Sequence, residues 1–321
     1  MSERAGTFRS RRVGVLYGGP SAEREVSLVS GKEVAGALRD RGYASVALID
    51  VGSDLPARLR EECIDVAFIA LHGKLGEDGC VQGLLEVMGI PYTGSGVTAS
   101  ALCMDKVLAK QVLARNRIPT PACEVVAADR WQEVRLPLPV VVKPRAEGST
   151  IGVTIVRRRR DLARAVREAC RFDRDALVET YVAGQEITVG ILNGEALGVT
   201  EIRPVTGFYD FKTKYTSGMA SHVFPAPLPR PLYRRAMRLA ARACAVLGCE
   251  GAPRVDFRIS PEGRLYALEV NTLPGMTPLS LLPEIAAGVG IGFGELVERI
   301  LDRAVLRNGT RPTPVLEAAH D

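Results

Sequence analysis

The chain has 321 residues, longer than the commonest single domain, so two or three domains are expected. Its 46% hydrophobic and 25% charged content excludes a disordered chain. The net charge of +5, from 42 Lys and Arg against 37 Asp and Glu, is too small to point to nucleic acid but suits an anionic ligand. Cys63, Cys80, Cys103, Cys123, Cys170, Cys244 and Cys249 form no CxxC and no metal-ligand spacing. They read as reduced thiols of a cytosolic protein. No apolar run is long enough to span a membrane, and the polar, basic start MSERAGTFRSRR lacks a signal-peptide core. A cytoplasmic enzyme with loose ends is expected.

In chain order, RVGVLYGG is a short apolar strand ending in glycines. SAEREVSLVSGKEVAGALRDRGY follows as a helix, with Val26, Val29, Val34, Ala37 and Leu38 as its apolar stripe. SVALIDV and DVAFIALHG are further strands, the second running into HGKLGEDG. This alternation predicts a parallel α/β sheet, whose ligands bind at the carboxyl ends of its strands. GGPSAER and HGKLGEDG both lie at such ends, and this unit closes near residue 105.

MDKVLAKQVLARNRIPTPA reads as a helix stopped by Pro119 and Pro121. PLPVVVKPRAEGSTIGVTIV is two strands joined by a glycine-containing turn. RRRRDLARAVREAC is a polar helix whose four arginines mark a solvated helix start rather than a phosphate patch. DALVETYVAGQEITVGIL returns to strands. EIRPVTGFYDFKTKYTSGMASHVFPAPL has little periodicity, and so long a structureless stretch is expected to be a functional loop or lid. PLYRRAMRLAARACAVLG is a clear helix, and there is no internal repeat.

The informative chemistry lies in RVDFRISPEGRLYALEVNTLPGMTPLS, residues 254 to 280. Pro and Gly in SPEG mark a turn, so RVDFRI and RLYALEV form a hairpin. A two-residue loop at Glu262 and Gly263 sets Asp256 opposite Glu269 and Arg254 opposite Asn271. These four share one face; Val255, Phe257, Leu268 and Val270 share the other. Two opposed carboxylates call for a cation between them, and oxygen ligands without His or Cys suit Mg²⁺. The competing reading is a structural ion pair in which Arg254 serves both carboxylates. A one-residue slip, such as a bulge at Gly263 would cause, separates Asp256 from Glu269 and ends the metal reading. Upstream, Lys143 ends an apolar strand, and EGSTIG offers backbone N–H groups to phosphate oxygens, or is simply a hairpin turn. It is not a Walker A loop, which needs a different spacing opening a helix. Lys106 in MDK is equally a surface helix lysine or a phosphate partner.

LYGGPSAEREVSLVSG, LHGKLGEDG, MDK, VKPRAEGSTIGV, GFYDFKTKYTSG, RVDF and LEVNTLPGMTPLSLLP stand in one order. Across nearly the whole chain that order resembles the D-alanine–D-alanine ligase family of the ATP-grasp superfamily. The resemblance implies an α/β chain with α+β character in the ATP-grasp part. A parallel-sheet substrate domain (1–105) would precede a central ATP-grasp lobe (106–186) and a C-terminal lobe with metal site and lid (187–321). It implies ligation of two D-alanines through an acyl phosphate, with ATP as co-substrate, two Mg²⁺ ions (Mn²⁺ able to substitute) and a homodimer, without nucleic acid or membrane.

By that resemblance Asp256, Glu269 and Asn271 match the metal ligands, and Lys106, Lys143 and Lys214 the phosphate lysines. Glu179, Val182 and Glu186 match adenine and ribose contacts. Arg254 and the Gly275 backbone match the oxyanion stabilisers. Glu23 matches the acid gripping the first ammonium group, with Ser149 and Tyr215 as its partners. His72 matches the residue beside the first D-alanine's carboxylate, while Ser280 and Leu281 match holders of the second. Singly each has a plainer reading: Glu23 a first-turn helix acid, His72 a loop histidine met by backbone, Ser149 a turn residue, Tyr215 a packed ring. The chain departs from the family at the adenine hinge, where Thr180 follows Glu179 in place of a common lysine; this puts the side-chain contact to adenine in doubt, not ATP itself. Two other readings remain: a D-alanyl-D-lactate ligase, against which Tyr215 speaks, and a non-catalytic nucleotide-binding regulator, against which the complete carboxylate set speaks. A nicotinamide dehydrogenase fails because no G-x-G-x-x-G follows the first strand.

Overall fold

The computed structural model describes residues 7–204 and 220–307. Three strands, β1 (Arg12–Tyr17), β2 (Ser45–Asp50) and β3 (Val66–Ile69), form a parallel sheet in the order β2-β1-β3. Helices α1 (Arg24–Asp40), α2 (Leu55–Glu61) and α3 (Cys80–Met88) connect and flank them. Val13 and Val15 face one core and Leu16 and Ile49 another. A sheet covered on both faces needs nearly unbroken apolar strands, which is why β1 and β3 read as they do. Both glycine loops stand at carboxyl ends of strands, as expected, with Gly18 following β1 and His72 shortly after β3.

The stripe of α1 differs from the expected one. Val29 is exposed, and Ser27, Ser30 and Gly31 are buried instead. The two serines face the sheet because they hydrogen-bond there, Ser27 Oγ to the Ala70 carbonyl at 2.7 Å and Ser30 Oγ to His72 Nε2 at 3.1 Å. Small side chains let the helix approach closely, and their polar atoms are satisfied on arrival.

Helices α4 (Val97–Met104) and α5 (Lys106–Arg115) follow. Asp105 caps α5 by accepting from the N–H groups of Val107 and Leu108. The helix ends well before Pro119, consistent with proline disfavouring helix in the residue it follows. A four-stranded antiparallel sheet in the order β4-β7-β5-β6 comprises β4 (Cys123–Val126), β5 (Val140–Pro144), β6 (Thr154–Val156) and β7 (Ala176–Thr180), with α6 (Arg159–Ala169) against it. The arginines 157 to 160 are exposed, as a solvated helix start requires.

The third sheet is antiparallel, with β8 (Gln185–Leu192), β9 (Glu195–Pro204), β10 (Ala220–Val223), β11 (Arg254–Ile259) and β12 (Leu265–Asn271) in the order β10-β9-β8-β11-β12. Its core is shared with α4, α5 and α7 (Arg230–Leu247). The stretch expected to be a lid begins in β9 and includes β10 near its end: Glu201 in β9 pairs with Val223 in β10. The segment between them, with Lys214 and Tyr215, lies outside the described residues. The last helices, α8 (Leu281–Gly288) and α9 (Phe293–Leu301), close over the first sheet, Leu282 and Leu296 packing in one core with Val13 and Val15. Among the described residues no helix is long and apolar enough to cross a membrane.

The β11–β12 hairpin holds the expected pairs, Arg254 with Asn271 and Asp256 with Glu269, by another route. Ser260 N–H bonds the Arg264 carbonyl, and Ile259 pairs with Leu265, so the loop is one residue longer than expected. A bulge between Asp256 and Phe257 in the pairing restores the register. The core partner of Phe257 is therefore Ala267, not Leu268, which turns out of the core to line a cavity.

Candidate active site

The hairpin face gathers the chemistry. Arg254 forks onto Asp256 through Nε and Nη2 at 3.0 and 3.1 Å, with both side chains buried. Thr188 on the neighbouring β8 donates a 2.6 Å hydrogen bond to the same carboxylate. Glu269 stands opposite and faces Lys106 Nζ at 3.3 Å. Among the described residues Asn271 Oδ1 is buried without a hydrogen-bond partner, a costly state that a bound cation or ligand would relieve. No group of three or more His, Cys, Asp and Glu stands together as a metal site among the described residues. The oxygen set here is two carboxylates and one amide, which leaves further ligand positions to be filled from elsewhere.

Next to this face, Glu179 at 2% exposure lies between two buried lysines. Its carboxylate is 2.7 Å from Lys110 Nζ and 2.6 Å from Lys143 Nζ. Burial disfavours its charge, but the two lysines outweigh burial and lower its pKa. For Lys143, burial is likewise outweighed, by Glu179 and Glu269, and its pKa is raised. Lys110 goes the other way, lowered chiefly by burial. Lys143 is thus held charged on the floor of a cavity lined also by Lys106, Val141, Ile155, Thr180, Tyr181, Val182, Glu186, Asp256, Leu268 and Glu269. Arg258 organises its far rim, donating to the Val182 carbonyl and pairing with Glu186, each at 3.1 Å. The N–H groups of Thr180 and Tyr181 are committed to the carbonyls of Ala122 and Pro139.

A second cavity opens on the other side of Lys106 and Glu269, lined by Glu23, His72, Glu77, Gly148, Ser149, Arg254, Asn271, Gly275 and Ser280 among others. Ser149 donates to Glu23, so the 148–150 loop reaches across to the first sheet's end. A Cβ on Gly148 would lie 2.6 Å from Glu23 Oε2, so a larger residue there would push the Glu23 carboxylate aside. Lys74 pairs with Glu147 beside it, and the Glu147 carbonyl accepts from Lys106 at 2.6 Å. His72, 4% exposed, is held by Ser30 at Nε2 and by the Leu273 carbonyl, 3.1 Å from Nδ1. Burial works against its protonation, yet Glu77, Glu23 and that carbonyl together raise its pKa. Ser280 is the residue at the start of α8, its Oγ turned back to accept from the Thr277 N–H rather than from the helix, and Ser280 and Leu281 at this helix N-terminus both line the cavity. Gly275 sits against Ser280, where a Cβ would lie 2.7 Å from Oγ.

Models of the D-ala D-ala ligase C-terminus and N-terminus match residues 109–302 and 53–95. The chain belongs to the D-alanine–D-alanine ligase family. It is 55% identical to the D-alanine–D-alanine ligase of Geotalea uraniireducens over 94% of this chain and 97% of that one. It is 54% identical to that of Geobacter sulfurreducens over 94% and 96%. A crystal structure of the Bacillus anthracis D-alanine–D-alanine ligase complexed with ATP superposes with a TM-score of 0.78 at 33% identity, covering 91% of this chain and 96% of that one.

In this member of the D-alanine–D-alanine ligase family, the predicted residues within the described segments gather in two adjoining cavities, or immediately beside them. Lys110, Thr188, Glu77, Glu147 and Arg258 escaped the sequence reading. Lys110 had a usable signal: it lies four residues after Lys106 on one helix, which puts both on one face. Thr188 had none, since its contact with Asp256 depends on which strand lies beside β11.

Proposed function

We propose that this chain joins two D-alanines into D-alanyl-D-alanine, with cleavage of ATP to ADP and phosphate, for peptidoglycan precursor synthesis. The observation that carries the reading is the common wall: Lys106 and Glu269 line both cavities. A nucleotide in the cavity over Lys143 would point its terminal phosphate at a carboxylate held in the other. That carboxylate attacks the γ-phosphorus, the bond to ADP breaks, and an acyl phosphate forms. The amine of the second D-alanine then attacks the acyl carbon, loses a proton, and phosphate leaves with the C–O bonding electrons.

Glu23, with Ser149 and Tyr215, would grip the first ammonium group, and His72 would flank its carboxylate. Lys106, Lys143 and Lys214 would hold phosphates. Glu179, Val182 and Glu186 would meet adenine and ribose, with Glu179 also fixing Lys143. Arg254 and the Gly275 N–H would stabilise the tetrahedral oxyanion, and the α8 N-terminus at Ser280 and Leu281 would take the second carboxylate. Asp256, Glu269 and Asn271 would hold two Mg²⁺ ions or Mn²⁺ in their place, a fit supported by the Asn271 oxygen, which has no partner among the described residues. When bound, such ions offset the negative charge of phosphate oxygens. The setting we propose is a cytoplasmic homodimer, the dimer being testable by light scattering.

The deciding assay measures phosphate release and product mass with ATP and D-alanine, with and without D-lactate. D-alanyl-D-alanine with one phosphate per bond is expected. Turnover only with D-lactate would make it a depsipeptide ligase, and ATP binding without turnover a regulator. Two variants probe the cavities separately. Gly148→Ala displaces Glu23 and is expected to raise KM for D-alanine by about tenfold in steady-state kinetics. Thr180→Lys adds a charged donor where two hinge N–H groups are already committed, and is expected to tighten ATP binding by about tenfold in calorimetric titration.

A further inference from the structure

Three of the seven thiols, one of them far in sequence from the other two, converge beside the active site. Cys103 Sγ in α4 lies 3.4 Å from Cys249 Sγ, in the loop between α7 and β11. Cys244, near the end of α7, is buried next to them, and its carbonyl accepts from the Cys249 N–H at 2.8 Å. All three are free thiols. We propose that Cys103 and Cys249 form a peroxide-sensitive modification site, whose disulfide reversibly lowers the activity proposed above.

The two partners are unequal in the way such a pair requires. Cys103 is 5% exposed, whereas Cys249 is half-buried. A surface groove lined by Val97, Ala99, Leu247, Gly248 and Glu250 borders Cys249 on both sides in sequence and gives a small oxidant its approach. Hydrogen bonds from Cys103, Cys244 and Ser95 draw the Cys249 thiol below its ordinary pKa, favouring the nucleophilic thiolate there. The bond to Cys249, and then burial, push Cys103 the other way. Cys249 thiolate attacks one peroxide oxygen, the O–O bond breaks, and after protonation a sulfenic acid and water result. Cys103 then attacks that sulfur, forming the S–S bond and releasing the second water. Two thiols lose two electrons and two protons, and one hydrogen peroxide becomes two waters.

The bond is about 2.05 Å long, so the sulfurs must approach by about 1.4 Å. Cys103 leads directly into the common wall of the cavities, and Cys249 into the strand that carries Arg254. Cys103 precedes Met104, Asp105 and Lys106, and itself lines the amino-acid cavity. Cys249 precedes Arg254 by five residues. Drawing the two segments together shifts Lys106 against Arg254 and Glu269, and misplacement on an ångström scale is enough to slow catalysis by about tenfold to a hundredfold.

The test treats the full-length protein with a small excess of hydrogen peroxide, alkylates the remaining thiols and maps peptides without reduction. Expected are a loss of two hydrogens in intact mass, a peptide linking Cys103 to Cys249, and a tenfold or greater fall in phosphate release that dithiothreitol reverses. Cys249→Ser should match the parent before treatment and resist peroxide; Cys63→Ser, which removes an exposed thiol elsewhere, should remain sensitive. A link between Cys244 and Cys249, no link at all, or equal sensitivity of Cys249→Ser overturns the proposal. A mapped link without loss of activity overturns its regulatory half. The mapping does not depend on ligase chemistry, so an untreated protein lacking D-alanine-dependent turnover would count against the functional reading alone.

Discussion

Replacing Glu269 by glutamine is expected to lower D-alanine-dependent phosphate release by about three orders of magnitude, with little change in Tm. Glu269 is not a core residue: 28% of its side chain remains exposed, and glutamine keeps its shape. What is lost is one negative charge on the wall common to both cavities. Lys143 stays paired with Glu179 in the variant and so stays charged, which removes the simplest indirect explanation. The two readings of the hairpin face then separate by size. A carboxylate that only balances Lys106 is a partly exposed ion-pair partner, whose loss costs at most about tenfold. A carboxylate that helps to hold cations against phosphate oxygens costs far more, because its contribution is greatest where charge develops. Phosphate release, with ATP titrated in the presence and absence of Mg²⁺, distinguishes them. Activity within tenfold of the parent would remove Glu269 from the metal set.

The hairpin also shows how far the sequence was legible. Turn residues and the two-residue period brought Asp256 to Glu269 and Arg254 to Asn271, and the structure has both pairs. The loop, however, is longer by one residue, and a bulge compensates for it. A turn rule carries no information on bulges, which answer to twist and to neighbouring strands. Without the bulge Leu268 shares a face with Phe257, whereas in the structure it lines a cavity and Ala267 takes that place. The ends of the expected lid failed for a different reason: β9 and β10 lack clean alternation, and their pairing is set by tertiary contact. On α1, small residues rather than the largest apolar ones face the sheet, because Ser27 and Ser30 find partners there. The cysteines follow the same logic. Sequence spacing distinguished them from a metal motif but could not show that α4 and the end of α7 meet.

Arg254 is expected to behave differently from Glu269, failing in stability as well as in rate. Its guanidinium supplies two donors to a buried carboxylate, and when that fork is removed the Thr188 hydroxyl is what Asp256 keeps among the described residues. Truncation to alanine leaves a buried charge short of its partner, at a cost of about 3–5 kcal/mol. Lysine should recover much of that stability, since it keeps the charge, but a single ammonium point cannot reproduce the planar fork. An oxyanion stabiliser must aim its donors at an atom that exists only in the transition state, and losing one such donor costs about a hundredfold to a thousandfold in kcat. Arg254→Lys should therefore fold with a Tm near the parent's, bind ATP normally and turn over about a hundredfold more slowly, while Arg254→Ala should be both unstable and inactive. Thermal melts and single-turnover phosphate release on the two variants read the two roles independently. A lysine variant with full kcat would reduce Arg254 to the structural partner of Asp256, whereas a stable but inactive one ties its geometry to the reaction.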